Sequence, residues 1–510
     1  MKTKTRAPQP VKTQLQSSVI YYLIGVMFGL PLIFTDGYFN ITETKSIYFH
    51  IISIALIAFV VSGGGKKKAS DGEAPSREGL NKKAELSATD IAMAAFCGVM
   101  LISCIFAKYS DCWLGLSSRY QGFYTIVIYT VVYFIVSRNF TSAQRFLLSS
   151  VLAFSIVCIL GVLHCYGIDI LGLYNGIGEG YTTSFLSTIG NINFYSSYMC
   201  LLMPLVVCGF CLSVGKISRA VYTAALILGA FGMMVTSSES FVVGFGSSLL
   251  IMPLFFYSRP HRLKRFLLSI IIIVLSSQTY MLIYNLSGKG NIAVSRLLKI
   301  LVNPYISAAI ILGCALALLI VHKFPDKLRI LKVIYPLCLI VFVLTICICF
   351  VLANTVGLPR FNGAFKITSE WGTYRGKIWR FCAKTYLYEY SLKEKLLGTG
   401  LETLHKVTAS AKLFERKSLD QAHNEYLQYL MTTGLAGLTA YLGVIATTIY
   451  TVAKKLKEST LALALLTGLV AYWMQATVNI AQPFTTPIVY IYIACIAGMA
   501  NQADRMKRKN

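Results

Sequence analysis

Apolar and polar residues fall in long blocks along this 510-residue chain rather than alternating at short range. An apolar run of about 20 residues is the length that crosses a bilayer as a helix. Such runs lie at about 18–35, 47–62, 89–107, 122–137, 143–163, 192–212, 219–236, 240–257, 266–284, 302–322, 331–353, 427–453, 460–480 and 487–503. They predict an all-α, polytopic integral membrane protein with about 14 transmembrane helices and one large loop. The polar blocks divide the chain into a tail (1–17), a bundle (18–353) with a polar linker at 63–88, a large loop (354–426), C-terminal helices (427–503) and a tail (504–510). The linker opens Gly63-Gly64-Gly65-Lys66-Lys67-Lys68 and reads as a solvated connector. The first apolar run, Val19 to Phe34, has no small-residue cleavage site behind it and reads as a span rather than a signal peptide.

Composition agrees with this pattern. The chain is 56% hydrophobic and 13% charged, where soluble domains carry about 25% charged residues. Its net charge of +26 would suggest nucleic acid in a soluble protein. Here the basic residues report topology instead, and no nucleic-acid partner is implied. With the N-terminus inside, 29 of the 47 Lys and Arg fall in inside segments. Six fall in short outside loops: Lys45, Lys108, Arg119, Lys289, Arg296 and Lys299. The other twelve lie in the large loop, and long loops escape the bias. This asymmetry predicts that both termini are cytoplasmic and that the large loop is extracytoplasmic. The 14 cysteines lie mostly within apolar runs, where they act as small hydrophobes, and no pair has metal-ligand spacing in a polar context.

Candidate chemistry concentrates between Trp371 and Leu442. Polar segments between membrane spans are where function tends to sit. Arg375 and Trp379 are one helical turn apart and share a helix face. A guanidinium grips a diphosphate through parallel hydrogen bonds and keeps its charge. The alternative is a surface Arg lying along Trp379. His423 stands where the polar segment re-enters the membrane, in Ala422-His423-Asn424-Glu425-Tyr426. Neutral imidazole is a general base for a hydroxyl group, and the alternative is an interfacial helix-end His. Arg380, near Arg375, fits general attraction to anionic headgroups.

These residues resemble the O-antigen ligase and polymerase superfamily. The resemblance rests on Arg375 with Trp379, on Leu397-Gly398-Thr399-Gly400, on His423-Asn424 leading into Tyr426, and on Gly434 with Gly437. Upstream, Gly190-Asn191-Ile192-Asn193 before a span containing Pro204 is also similar. The resemblance implies a membrane glycosyltransferase of the cytoplasmic (inner) membrane. Such an enzyme moves a glycan from an undecaprenyl diphosphate donor to a lipid or glycan acceptor on the outer face. Arg375 would hold the diphosphate, His423 would activate the acceptor, and Asn424, Trp379 and Tyr426 would support the site. Ligase, repeat-unit polymerase and protein O-oligosaccharyltransferase all remain open.

One departure stands out. Such ligases carry a second Arg in a Thr-x-Ser-Arg run, and here Glu239 follows Thr236-Ser237-Ser238. An acid at that place does not bind diphosphate. Arg119, outside and isolated in Ser118-Arg119-Tyr120-Gln121-Gly122, is the expected substitute cation. Glu239 then either serves the acceptor side or is favoured simply by a helix N-terminus. Asp residues are scattered, and no phosphate-binding loop or dinucleotide motif is present. The expectation is metal-independent, inverting transfer without a cofactor. Two rivals remain: a non-enzymatic lipid-linked-glycan flippase, and a peptidoglycan polymerase using Asp420.

Overall fold

The computed structural model describes residues 13–63, 86–141, 143–257, 259–288, 290–357, 365–409 and 419–507. The expected linker at 63–88 and both terminal tails lie largely outside these residues. The protein is an all-α polytopic membrane protein. Among the described residues, twelve helices are long and apolar enough to cross a bilayer. In chain order the bundle opens with ten of these and one shorter apolar helix: α1 (Gln14–Leu32), α2 (Ile41–Val61), α3 (Ala88–Ile105), α4 (Phe123–Asn139, shorter and apolar), α5 (Gln144–Cys165), α6 (Ile192–Leu212), α7 (Lys216–Met234), α8 (Glu239–Phe256), α9 (Pro260–Ser287), α10 (Pro304–Lys323) and α11 (Pro325–Thr355). Three helices of the long polar segment follow: α12 (Trp371–Lys384), α13 (Leu392–Leu397) and α14 (Leu404–Ala409). The chain ends with α15 (Glu425–Lys455), α16 (Thr460–Val478) and α17 (Thr485–Lys507). Helices α4 and α17 occupy the two further positions predicted as spans.

Local chemistry starts several of these helices. Thr13, Ser87 and Ser391 each close a capping box with the residue three places on. Burial then sorts the helices into layers. In α6 and α16, 89% and 83% of the apolar window is buried, and these two pack directly on each other at the centre. A helix apolar all round belongs in such a place. In α10 and α11 the shares are 11% and 6%, so these helices are peripheral, with their apolar side chains turned outward.

Two boundaries differ from the sequence expectation. Helix α2 starts at Ile41 rather than near 47, and it takes Lys45 with it. Lys45 is fully buried and donates to the carbonyls of Leu30, Pro31 and Ile33, each at 2.9 Å. The carbonyls left open at the end of α1 solvate the ammonium, so a cation that reads as loop sits inside a helix.

The second concerns α15, expected as one span. Gly434 breaks it with φ 67° and ψ −169°, a region open essentially to glycine. Residues 425–433 fold back beside the rest of the helix. Glu425 accepts a hydrogen bond from Tyr441, and Tyr429 lies 4.5 Å from the Tyr441 ring. The break makes room for the long polar segment. A Cβ on Gly434 would stand 2.3 Å from the Leu396 carbonyl carbon, and one on Gly398 would stand 2.2 Å from that of Thr432. Gly400 N–H donates to Thr432 O at 2.8 Å. The Gly-x-Gly run and the Gly434 motif are therefore two sides of one backbone contact.

Candidate functional site

A cavity of about 260 Å³ opens at one end of the bundle. Its walls come from the connectors after α1, α4's preceding loop, the loop before α6, the segment before α15 and the loop after α16. A short antiparallel pair, β1 (Phe185–Leu186) and β2 (Gly190–Asn191), presents Phe185 and Asn191 to it. Asn191 also caps α6, accepting from Asn193 N at 2.9 Å. Asn193 and Asn479 add two more amides, tied together through the Asn479 side chain to Asn193 O at 3.2 Å. Arg119 and His423 complete the polar wall.

His423 is held in a strained place, with φ 50°. The residue before it is pinned on both sides. Trp379 Nε1 donates to Ala422 O at 3.1 Å, and Ala422 N donates to Gln428 Oε1 at 2.8 Å. Asn424, the residue after, caps α15 by accepting from Leu427 N at 3.0 Å. Burial and the Arg375 guanidinium hold the imidazole down at about 4, with Arg119 adding to the effect and Asp420 opposing it. His423 is thus neutral near pH 7 and lies within electrostatic reach of both arginines.

Arg375 begins the right-handed part of α12. The three residues before it, Gly372, Thr373 and Tyr374, are left-handed. Its Nη1 donates to Gly372 O at 2.8 Å, while its Nε is buried without a partner among the described residues. Burial lowers its pKa, since the charged form loses hydration. Arg119 makes a close ion pair, with Nη2 at 2.7 Å and Nε at 2.8 Å from the same Asp420 oxygen. Its guanidinium also lies 5.8 Å from the Phe194 ring centroid.

The residues singled out by sequence thus separate. His423 and Arg119 both line the cavity, with Trp379 and Asn424 setting the backbone around His423; Arg375 does not line it and reaches His423 only through its electrostatic field. Tyr426 turns away and donates to Trp473 O at 2.8 Å. Arg380 is exposed, donates to Ile367 O at 3.2 Å, and does not line the cavity. Glu239 is the exposed first residue of α8 and also stands outside the lining. Its neighbour Ser238 donates to Asn193 Oδ1 at 3.2 Å, so Glu239 lies one residue from a cavity contact.

Sequence reasoning missed Asn479, Tyr38 and Glu402. Glu402 is 5% exposed, and burial pushes its carboxyl up to about 7. A lone Glu two residues past Gly400 was its only sequence signal. Among the described residues, no three His, Cys, Asp or Glu side chains cluster as metal ligands would.

The fold and site define a polytopic helical membrane protein with a polar, His- and Arg-bearing cavity at one end of its bundle. Comparison with protein-family models and with curated proteins found no match.

Proposed function

We propose that this protein is a membrane glycosyltransferase of the O-antigen ligase type. It moves a glycan from a polyprenyl (undecaprenyl) diphosphate to an acceptor hydroxyl on the outer face of the cytoplasmic membrane. Both termini are then cytoplasmic. The observation that carries this reading is neutral His423 lining an amide-walled cavity together with Arg119, within the electrostatic reach of Arg375.

The step follows from those groups. The acceptor oxygen attacks the anomeric carbon as His423 takes its proton. The bond from that carbon to the diphosphate oxygen breaks, and its electron pair leaves with the diphosphate. Arg375, with an unpartnered Nε, stabilises the growing charge. Arg119 is the second cation, in place of the one missing at Glu239, and Asp420 balances it until the donor arrives. The amides of Asn191, Asn193 and Asn479 suit sugar hydroxyls, and the Phe185 and Phe194 rings suit the faces of a pyranose. Attack opposite the leaving group inverts the anomeric centre.

The decisive experiment is transfer in vitro by purified protein, with defined lipid-linked donors and candidate acceptors. Product formation lost in His423→Ala supports the reading. Movement of lipid-linked glycan across vesicles, without transfer and unchanged in His423→Ala, would support the flippase instead. Activity abolished by EDTA and restored by one divalent ion would reject the metal-independent route.

A further inference from the structure

We propose that Glu402 is a positioning residue, which sets His423 by clamping Gln421. The Gln421 amide donates to both Glu402 carboxylate oxygens, each at 3.2 Å, and both residues are buried. Glu402 does not line the cavity, so it acts on the site through another group.

Its own place is heavily fixed. Glu402 sits at φ 60° in a turn where Thr403 N and its hydroxyl donate to Gly400 O. Gly400 in turn donates to Thr432 O, on the folded-back start of α15. His405 contacts the Glu402 carbonyl at 3.0 Å and Asp111 at 3.2 Å, which ties the turn to the connector carrying Arg119. Three segments that build the site therefore meet at the turn that carries this carboxylate.

Gln421 precedes Ala422, whose N–H and C=O are already engaged. The Gln421 side chain adds a buried hold on the segment that delivers His423 in its left-handed conformation, beside the Arg119–Asp420 pair and the Asn424 cap. Among the described residues no cation contacts Glu402, and Arg119 and Asp420 act on it only through space. A buried acid without a contacting cation is costly to keep. A carboxylate offers Gln421 two equivalent acceptors, which locks the amide against rotation.

The proposal rests on His423 being the functional base, but its first test does not need transfer. Purified full-length protein is treated with diethylpyrocarbonate, and carbethoxylation of each His is followed by mass spectrometry. His261 and His322 serve as internal references. Glu402→Ala should change the His423 rate at least threefold with both references unchanged. Glu402→Gln should restore it, because its amide oxygen still accepts from Gln421. Gln421→Ala should match Glu402→Ala, and the double variant should add nothing. If Glu402→Ala fails to fold, Gln421→Ala and Glu402→Gln decide the matter: the first should change the His423 rate at least threefold and the second should leave it near wild type.

In the transfer assay, Glu402→Ala should lower kcat more than it raises the acceptor KM, and Glu402→Gln should keep most activity. A wild-type His423 rate in Glu402→Ala overturns the proposal. So does parallel acceleration at His261 and His322, or a Glu402→Gln variant as impaired as Glu402→Ala. Absence of transfer in the wild type with the carbethoxylation pattern intact would reject the proposed function and leave the clamp standing.

Discussion

A neutral imidazole beside two guanidiniums is an unusual base, and its setting makes specific demands. His423→Ala and His423→Gln should both abolish transfer while expression and insertion stay normal; His261→Ala should be unaffected. Arg375→Ala should cost roughly 2–4 kcal/mol of transition-state stabilisation, by analogy with loss of one oxyanion donor. Arg119→Ala should be comparably impaired. A fully active Arg119→Ala with an inactive Glu239→Ala would show that the acid has its own role. The pH profile has a defined sign. Burial and Arg375 lower the His423 pKa to about 4, so the base form persists well below pH 6.5. The acid limb of kcat/KM, which reports free enzyme, should therefore lie near 4. A bound diphosphate cancels part of the Arg375 field, so the limb in kcat should lie higher. A single limb near 6.5 in both parameters would contradict this electrostatic account. Of these residues, His423, Arg375 and Arg119 were legible in sequence because their type and placement carry chemistry. Glu402 was not, because its burial depends on partners elsewhere in the chain.

At the level of elements, the break in α15 organises the site. It turns residues 425–433 toward the long polar segment and closes over Glu425, which accepts from Tyr441 at 2.8 Å and Tyr472 at 2.9 Å. Gly434→Ala should cost about 1–3 kcal/mol for the backbone conformation alone, before the clash with Leu396. Thermal unfolding in detergent should show a lower midpoint, and transfer should fall with it. An unchanged midpoint would mean that α15 runs straight. The sequence reading placed a continuous helix here, since Leu, Ala and Thr around Gly434 and Gly437 keep the apolar pattern. Only the opposing backbone of residues 396–398 makes glycine necessary there. Lys45 is the parallel case. A lone cation reads as a loop until the carbonyls of α1 are seen to receive it.

On the scale of the whole molecule, the cavity walls come from alternate connectors of the chain and from the first turns of α2 and α6 that follow two of them, which topology forces to one side. The basic asymmetry predicts that side to be extracytoplasmic. A Cys at Tyr388 should label with an impermeant maleimide from outside intact cells, and one at Lys454 only after permeabilisation. The reverse pattern would put the site in the cytoplasm and remove the proposed donor and acceptor. The sequence by itself determined the fold class and where the long apolar helices lie. Those follow from local quantities, since apolar length and charge placement act on each stretch where it stands. Only the tertiary structure decided that Arg119 pairs with Asp420, that Gln421 binds Glu402 and that Gly434 reverses its helix. Each depends on atoms brought within a few ångströms from distant positions, 301 residues apart for Arg119 and Asp420. A hydrogen bond reaches about 3 Å, and no local pattern records which remote group will stand there.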